Sequence, residues 1–172
     1  MKIKKTKKYK GKNINITLYE TKLNGTRISQ EIVEQGNAVA VLAIDDDDVI
    51  LVNEFRYPVG HVLEIPAGNV DKGETPLKCA KRELLEETGY KAKKIEHLIK
   101  FFPKLGYNTQ IIDCYVATEL EKTSEPNLDE DELITVKKIK FRKLLNMINN
   151  GKIYGSYTIC AVMVYAARKK LI

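Results

Sequence analysis

The sequence predicts an α/β (α+β) fold in which helices pack on a mixed sheet and an N-terminal β-hairpin precedes the main body. Ala38 to Ile44 is a continuous apolar run, which is typical of a strand buried on both faces. Residues 75–88 have apolar side chains at helical spacing. The strands and helices do not alternate as regular βαβ units, which favours a mixed sheet over a parallel one.

The N-terminal hairpin is predicted from two segments and the turn between them. Asn13 to Tyr19 alternates in strand fashion, Asn24-Gly25 suits a two-residue hairpin turn, and Ile28 to Val33 supplies the returning strand. We expect the lysine-rich residues 1–12 to form a solvated, partly frayed tail. A nucleic-acid contact is the alternative, but the tail lacks interleaved aromatic residues, so nucleic acid is not an expected partner. These features divide the chain into a basic arm with a hairpin, residues 1–35, and a main domain, residues 36–172.

The main domain is predicted to continue with short strands and to end in two helices. Asp45 to Asp48 is interpreted as a solvated turn between paired strands rather than as a metal cluster. A short strand is expected to end at residues 64–67. Further strands are expected over 95–102, 110–118 and 133–139, and helices over 141–150 and 158–171.

The length and composition indicate one ordinary globular domain, or one domain with a small appendage. The chain has 172 residues, of which 44% are apolar, and a net charge of +6. No apolar run approaches the roughly 20 residues of a membrane-spanning helix, so no membrane association is expected. The three cysteines, Cys79, Cys114 and Cys160, are scattered and odd in number, as expected of free thiols in the cytoplasm.

The helix over residues 75–88 has clear signals at both ends. Thr75 suits the N-cap, Pro76 suits the first helical position, and Gly89 suits the residue that ends the helix. The stripe that packs on the sheet is expected to be Leu77, Ala80 and Leu84.

One face of this helix is acidic. Glu83, Glu86 and Glu87 lie three and four positions apart, so their side chains project from the same side and repel one another. A bound divalent cation would remove that repulsion, and carboxylate oxygens are ligands that Mg²⁺ and Mn²⁺ prefer. The alternative is an exposed acidic patch that Arg82 and Lys81 balance.

The acidic face belongs to a longer motif. From Gly68 the sequence runs GNVDKGETPLKCAKRELLEETGY, which fits the pattern G-x5-E-x7-R-E-U-x-E-E-x-G-U, where U is a bulky aliphatic residue. Tyr90 at the final aliphatic position is the one deviation. This pattern is the Nudix box, and the chain resembles the Nudix hydrolase family. The resemblance implies an α/β/α sandwich and the metal-dependent hydrolysis of a nucleoside diphosphate derivative.

The resemblance also implies roles for the residues of the box. Glu83 and Glu87 would be the main metal ligands, with Glu86 as a further ligand or a base, and the backbone carbonyl of Ala67 would complete the site for Mg²⁺ or Mn²⁺. The supporting residues would be Gly68, which allows the tight turn into the loop, the Glu74–Arg82 pair, which braces the loop on the helix, and Gly89.

The flanking sequence resembles the ADP-ribose pyrophosphatase branch of the family. The segment VNEFRYPVGHVLEIPAG before the box and the segment LDEDEL at 128–133 carry this likeness. It implies hydrolysis of ADP-ribose to AMP and ribose 5-phosphate by a homodimer whose N-terminal hairpin reaches over the partner. Arg56 would contact phosphate or ribose, and the alternative for Arg56 is a surface salt bridge. Glu132, or else Glu130, would be the catalytic base, although LDEDE alone is typical of a solvated turn.

Three positions depart from the branch. In Phe102-Pro103-Lys104-Leu105-Gly106, Gly106 fits but Leu105 replaces a proline, Gln110 replaces an acidic residue, and Gln30 replaces an arginine. Lys104 could add a phosphate contact. Other nucleotide sugars such as GDP-mannose, dinucleotides and damaged nucleoside triphosphates therefore stay as alternative substrates. A non-catalytic nucleotide-sensing Nudix module is a further alternative, against which the intact acidic face argues.

Overall fold

The fold consists of a small antiparallel sheet and a larger mixed sheet with helices on both faces. The structure is a computed structural model that describes residues 2–128 and 133–172. Within these residues, the small sheet contains three strands in sequence order, β1 (Lys4–Lys10), β2 (Asn15–Leu23) and β3 (Thr26–Glu34). The tight turn between β2 and β3 is confirmed, because Asn24 and Gly25 both have positive φ angles, 50° and 83°.

Strand β1 corrects one expectation from the sequence. Most of the lysine-rich segment is not a frayed tail but a strand that pairs along β2. Cross-strand contacts hold it there: the Lys4 ammonium lies 3.7 Å from Glu20, and that of Lys5 lies 3.9 Å from Glu34 and 4.5 Å from the centre of the Tyr19 ring. Periodicity missed this strand because lysine occupies both faces of it.

Among the described residues, the larger sheet has seven strands: β4 (Ala38–Asp45), β5 (Asp48–Arg56), β6 (Gly60–Glu64), β7 (Ala67–Asn69), β8 (Tyr90–Phe101), β9 (Ile112–Lys122) and β10 (Ile134–Lys140). Its main path runs β10-β5-β4-β9-β8, while β6 pairs with β5 and β7 pairs with β4. The β4–β9 pair is parallel and the other pairs are antiparallel, so the predicted mixed sheet is confirmed.

Strand β4 forms the centre of the core. Its residues alternate between two apolar clusters, so the prediction that both of its faces are buried is confirmed. Helix α1 (Pro76–Thr88) covers one face, and α2 (Phe141–Asn149) and α3 (Ser156–Arg168) cover the other. In the described part of the chain, no helix is long and apolar enough to cross a membrane.

Helix α1 has the predicted ends but a different buried stripe. Thr75 accepts a hydrogen bond from the Lys78 backbone N–H, and Gly89 ends the helix in the left-handed conformation. Leu77, however, is 41% exposed, so its predicted burial is wrong. Cys79 is buried instead, next to Ala80. Its thiol lies 3.3 Å from the backbone carbonyl oxygen of Asn69, near the start of the box.

The aspartates at the β4–β5 turn behave as a solvated turn. Asp46 has a positive φ angle of 55°, and the flanking Asp45 and Asp48 contact lysine ammonium groups of β10. The interpretation of residues 45–48 as a turn between paired strands is therefore confirmed.

Candidate functional site

A cavity of about 310 Å³ lies where α1, β5 and β7 meet. We call it the carboxylate cavity, because the three glutamates of the acidic helix face line it together with Glu54. The loop at the start of the box also lines this cavity, and the Arg82 side chain adds a positive charge to its wall. The remaining lining residues are Arg56, Ala67, Gly68, Asn69, Asp71, Arg82 and Asn127.

Glu83 and Glu87 are buried although they are acidic. Their exposed fractions are 7% and 3%, while Glu86 is half-buried. The Ala67 backbone N–H donates to Glu87 Oε2 at 3.1 Å, which ties the helix to the loop at β7. Burying carboxylates without compensation is costly, so these side chains require a cation nearby.

The lack of a side chain at Gly68 allows the Glu83 carboxylate to lie against the backbone of the loop. A Cβ atom at position 68 would lie 2.0 Å from Glu83 Oε1, so any larger residue would displace that carboxylate. The sequence indicated a glycine for a tight turn, but Gly68 does not have a positive φ angle, and the close approach of Glu83 is its structural reason.

Arg82 supplies part of the compensating charge. Its guanidinium donates to both carboxylate oxygens of Glu74, at 3.2 and 3.0 Å, and to the Asn69 carbonyl at 3.2 Å. It also lies 2.9 Å from Glu86 and 2.7 Å from Glu83. These contacts hold the pKa of Glu74 below its usual value and raise that of Arg82. The loop and the helix are thus braced through one cation.

Gly89 positions a further segment beside the cavity. Its carbonyl accepts hydrogen bonds from the backbone of Thr123 and Ser124, and a Cβ at Gly89 would lie 2.0 Å from the Ser124 carbonyl oxygen. The Asn127 N–H then donates to the Glu86 carbonyl at 2.8 Å. Sequence reasoning missed Asn127 as a cavity residue, because only the path of the chain after β9 brings it there.

A second cavity of about 400 Å³ adjoins the first, and we call it the adjacent cavity. Both cavities are lined by Arg56, Ala67, Gly68 and Asn69. Beyond them the wall of the adjacent cavity is mostly neutral and comes from β3–β4, the loop after β8, and α3. It includes Gln35, Glu64, Pro103, Gln110, Ser156 and Tyr157.

Arg56 stands between the two cavities within a polar cluster. Its guanidinium lies 2.7 Å from Glu54 and donates to Glu64 at 3.1 Å, and both carboxylates belong to buried residues. The Tyr157 hydroxyl donates to Glu64 at 2.6 Å, and burial raises the pKa of that hydroxyl. The side chain of Arg56 is 43% exposed, so both alternatives describe part of its position: it forms salt bridges and it also faces the cavities.

The other predicted substrate residues lie elsewhere. Lys104 and Gly106 are exposed in the turn after β8, and neither is among the described residues that line the two cavities. The Lys104 ammonium stands 5.1 Å from the centre of the Tyr107 ring. The neighbouring Pro103 reaches the wall instead. Glu130 and Glu132, the predicted bases, lie outside the described residues.

The donor atoms of the carboxylate cavity fit a hard divalent cation. Glu83, Glu86 and Glu87 offer carboxylate oxygens of the kind that Mg²⁺ and Mn²⁺ take, and Ala67 lines the same cavity. Within residues 2–128 and 133–172, no three acidic, histidine or cysteine side chains are already gathered around one point. A larger hollow of about 630 Å³ lies on the small sheet, where Glu20 is the one acidic residue among the described residues that line it.

A family model and several known proteins match this chain over most of its length. A model of the NUDIX domain family matches residues 34–155. The ADP-ribose pyrophosphatase of Bacillus subtilis (strain 168) is 36% identical over 173 residues, which cover 98% of this chain and 94% of that protein. The methanol dehydrogenase activator of Bacillus methanolicus has the same identity and coverage.

More distant relatives share most of the chain. The GDP-mannose pyrophosphatase of Yersinia enterocolitica serotype O:8 / biotype 1B (strain NCTC 13174 / 8081) is 32% identical over 149 residues, covering 79% of this chain and 78% of that protein. A solved structure described as an ADP compounds hydrolase superposes with a TM-score of 0.85 at 22% identity, covering 99% and 95% of the two chains, which shows the shared fold. Nudix hydrolases are generally dependent on a divalent metal. The matched family model and the near full-length relatives show that this chain belongs to the Nudix family, as a pyrophosphohydrolase.

Proposed function

We propose that this protein hydrolyses ADP-ribose to AMP and ribose 5-phosphate with Mg²⁺, or alternatively Mn²⁺, as its cofactor. The observation that carries the proposal is the junction of two cavities, one lined by carboxylates and one mostly neutral, with Arg56 in the wall of both. The near full-length likeness to an ADP-ribose pyrophosphatase supports the choice of substrate.

The carboxylate cavity would hold the metal and the diphosphate. Glu83 and Glu87 would be the main ligands, with Glu86 and the Ala67 carbonyl as further ones. When bound, the metal neutralises phosphate charge and increases the acidity of a coordinated water. Arg82 keeps the helix face and the loop together, and Arg56 offers N–H groups to phosphate or ribose oxygens. The location of Asn127 at this cavity supports the assignment of the catalytic base to the acidic loop that follows, to Glu132 before Glu130.

The adjacent cavity favours an uncharged sugar. Arg56 and Glu64 are the two charged residues among its described lining residues, and they contact each other, while Gln35, Gln110 and Ser156 are neutral hydrogen-bonding groups. Such a wall suits hydroxyl groups better than a further phosphate. Lys104, which would have suited a more anionic ligand, lies outside it. A nucleotide sugar is therefore favoured over a nucleoside triphosphate.

GDP-mannose is the second candidate substrate, because relatives that share about four-fifths of this chain are named for that activity. The same carboxylates and the same neutral cavity would serve it. A nucleotide-sensing role is a third candidate. Burial of Glu83 and Glu87 argues against it, since a pure binding module would gain nothing from that costly acidic face.

We also propose a cytoplasmic homodimer. Apolar side chains of the small sheet are exposed in the single chain, among them Tyr9, Leu23 and Ile28, and a second copy would cover them. The sheet is tied to the adjacent cavity, since Gln35 follows β3 directly and lines it. The three free cysteines fit a reducing compartment.

The proposal is tested by measuring kcat/KM for ADP-ribose, GDP-mannose, NADH and ATP at one Mg²⁺ concentration. We expect the highest value for ADP-ribose and the lowest for ATP. No release of AMP from ADP-ribose would refute the proposed substrate. Full activity of the Glu86→Gln variant in the physiological function of the protein would favour the sensing role instead.

A further inference from the structure

A relay of three polar side chains stands at the junction of the two cavities. Arg56 ends β5, Glu64 ends β6, and Tyr157 lies in the first turn of α3. The Tyr157 hydroxyl donates its one proton to Glu64 Oε2 at 2.6 Å. Toward Arg56 Nη2, which lies 3.5 Å away, the same hydroxyl therefore acts as an acceptor. The direction of hydrogen bonding is fixed from Arg56 through Tyr157 to Glu64.

The net charge of the cluster shows what Arg56 contributes. One guanidinium stands between two carboxylates, Glu54 at 2.7 Å and Glu64 at 3.1 Å. The three groups together are net negative, so they do not attract a diphosphate by their total charge. What Arg56 offers is directional: the guanidinium has five N–H donors, and the contacts with Glu54, Glu64 and Tyr157 employ three. Whether the remaining N–H donors can reach a substrate depends on the orientation of the guanidinium plane.

The start of α3 is held against Glu64 independently of the tyrosine hydroxyl. A Cβ atom at Gly155 would lie 2.5 Å from Glu64 Oε1, so the absence of a side chain allows the close approach. The Thr158 hydroxyl accepts a hydrogen bond from the Ile65 N–H at 3.1 Å and is fully buried. The start of α3 therefore has contacts with the end of β6 that do not involve the Tyr157 hydroxyl. That hydroxyl is available to orient the Arg56 guanidinium.

We propose that Tyr157 is a positioning residue, whose hydroxyl orients the Arg56 guanidinium toward the substrate where the two cavities meet. The inference rests on the proposed function of the site, because it takes Arg56 as a substrate contact. Sequence reasoning did not single out Tyr157. Neither helical spacing nor the box motif distinguishes it from the other tyrosines of the chain.

The test is a double-mutant cycle on ADP-ribose with Mg²⁺, using Tyr157→Phe, Arg56→Lys and the double variant. We expect Tyr157→Phe to raise KM about tenfold and to change kcat less than about twofold, because it loosens a binding group and leaves the acidic helix intact. In the Arg56→Lys background, where the fork is absent, it should change KM less than about twofold. Tyr154→Phe is the matched control, since Tyr154 is 67% exposed and lies outside both cavities.

Thermal melting separates orientation from folding. Equal melting temperatures for wild type and Tyr157→Phe, together with the KM change, would support the proposal. An unchanged KM, or effects of the two substitutions that simply multiply, would overturn it. If wild type releases no AMP from ADP-ribose, the proposed substrate fails, and the same cycle is run on the nucleotide sugar that wild type does hydrolyse, with the same outcomes deciding.

Discussion

At the scale of single residues, Gly68 is the position where a small change separates activity from stability. The three atoms nearest to a methyl group there would all belong to the carboxylate of Glu83, which is the end of a flexible side chain and can move aside. We expect Gly68→Ala to retain its fold and to lose most of its hydrolase activity. Circular dichroism melting and kcat/KM, measured together, check this. A variant with full activity would show that the position of Glu83 does not matter.

The buried carboxylates themselves give the second prediction. Replacing Glu87 with Gln removes a charge that we assign to the metal, while an amide can still accept the hydrogen bond from Ala67. Metal stabilisation of phosphate charge is worth several kcal/mol, so kcat/KM should fall about 100- to 1000-fold. Glu121→Gln is the control, because Glu121 is an exposed glutamate on β9. Equal activity of the two variants would exclude Glu87 as a ligand.

Outside the box motif, the sequence predicted few of the individual residues that line the two cavities. The spacing of Glu83, Glu86 and Glu87 predicted that they share one helix face, and all three line the carboxylate cavity. Asn127, Gln35 and the partners of Arg56 were not found, because distant segments bring them together in space. No local pattern in one sequence reports such contacts.

At the scale of elements, the end of α1 is the most exacting feature. Gly89 has a φ angle of 71°, and a Cβ there would collide with the backbone carbonyl of Ser124, which cannot move as a side chain can. We expect Gly89→Ala to lower the free energy of unfolding by about 1–3 kcal/mol for the strained backbone alone. That corresponds to a fall in melting temperature of several degrees. Gly73 has a similar φ angle, but a Cβ there would have open space around it, so Gly73→Ala should lower the free energy of unfolding by less. Equal losses would refute the clash with Ser124.

The brace between the loop and α1 gives a pH-dependent prediction. Arg82 lowers the folded-state pKa of Glu74 below 4.5, so the stabilisation exists above that value and is lost as pH falls through the lowered pKa. The melting temperature of wild type should therefore be higher than that of Glu74→Gln at pH 7, and the difference should disappear in acid. Melting curves of both proteins from pH 7 to pH 3 measure it. A gap that does not depend on pH would contradict the ion-pair origin.

The ends of elements were predicted well where local chemistry decides them. Thr75, Pro76 and Gly89 mark α1, and Asn24-Gly25 marks the hairpin, because caps and turns depend on neighbouring residues. Leu77 and strand β1 were predicted wrongly for a shared reason. In both, tertiary pairing decided the outcome: the orientation of α1 on the sheet, and the match of lysines with Glu20 and Glu34 across β2 and β3.

At the scale of the whole molecule, the small sheet gives a prediction about assembly. Its exposed apolar residues and its connection to Gln35 support a homodimer that completes the adjacent cavity. Sedimentation equilibrium should give twice the 19.6 kDa mass of the chain. Leu23→Lys on the exposed sheet should weaken the dimer, whereas Leu171→Lys, exposed near the other end of the chain, should not. A monomer with full activity would refute the dimer's role.

The central claim is that the carboxylate cavity cleaves the diphosphate of a nucleotide sugar, and product analysis with ADP-ribose tests it most directly. Wild type is incubated with ADP-ribose, first after removal of divalent metal and then with Mg²⁺ restored, and the products are quantified. The account predicts no turnover without metal, equal amounts of AMP and ribose 5-phosphate with it, and the loss of both products in Glu87→Gln. Intact ADP-ribose in the presence of Mg²⁺, or undiminished products from Glu87→Gln, would contradict it.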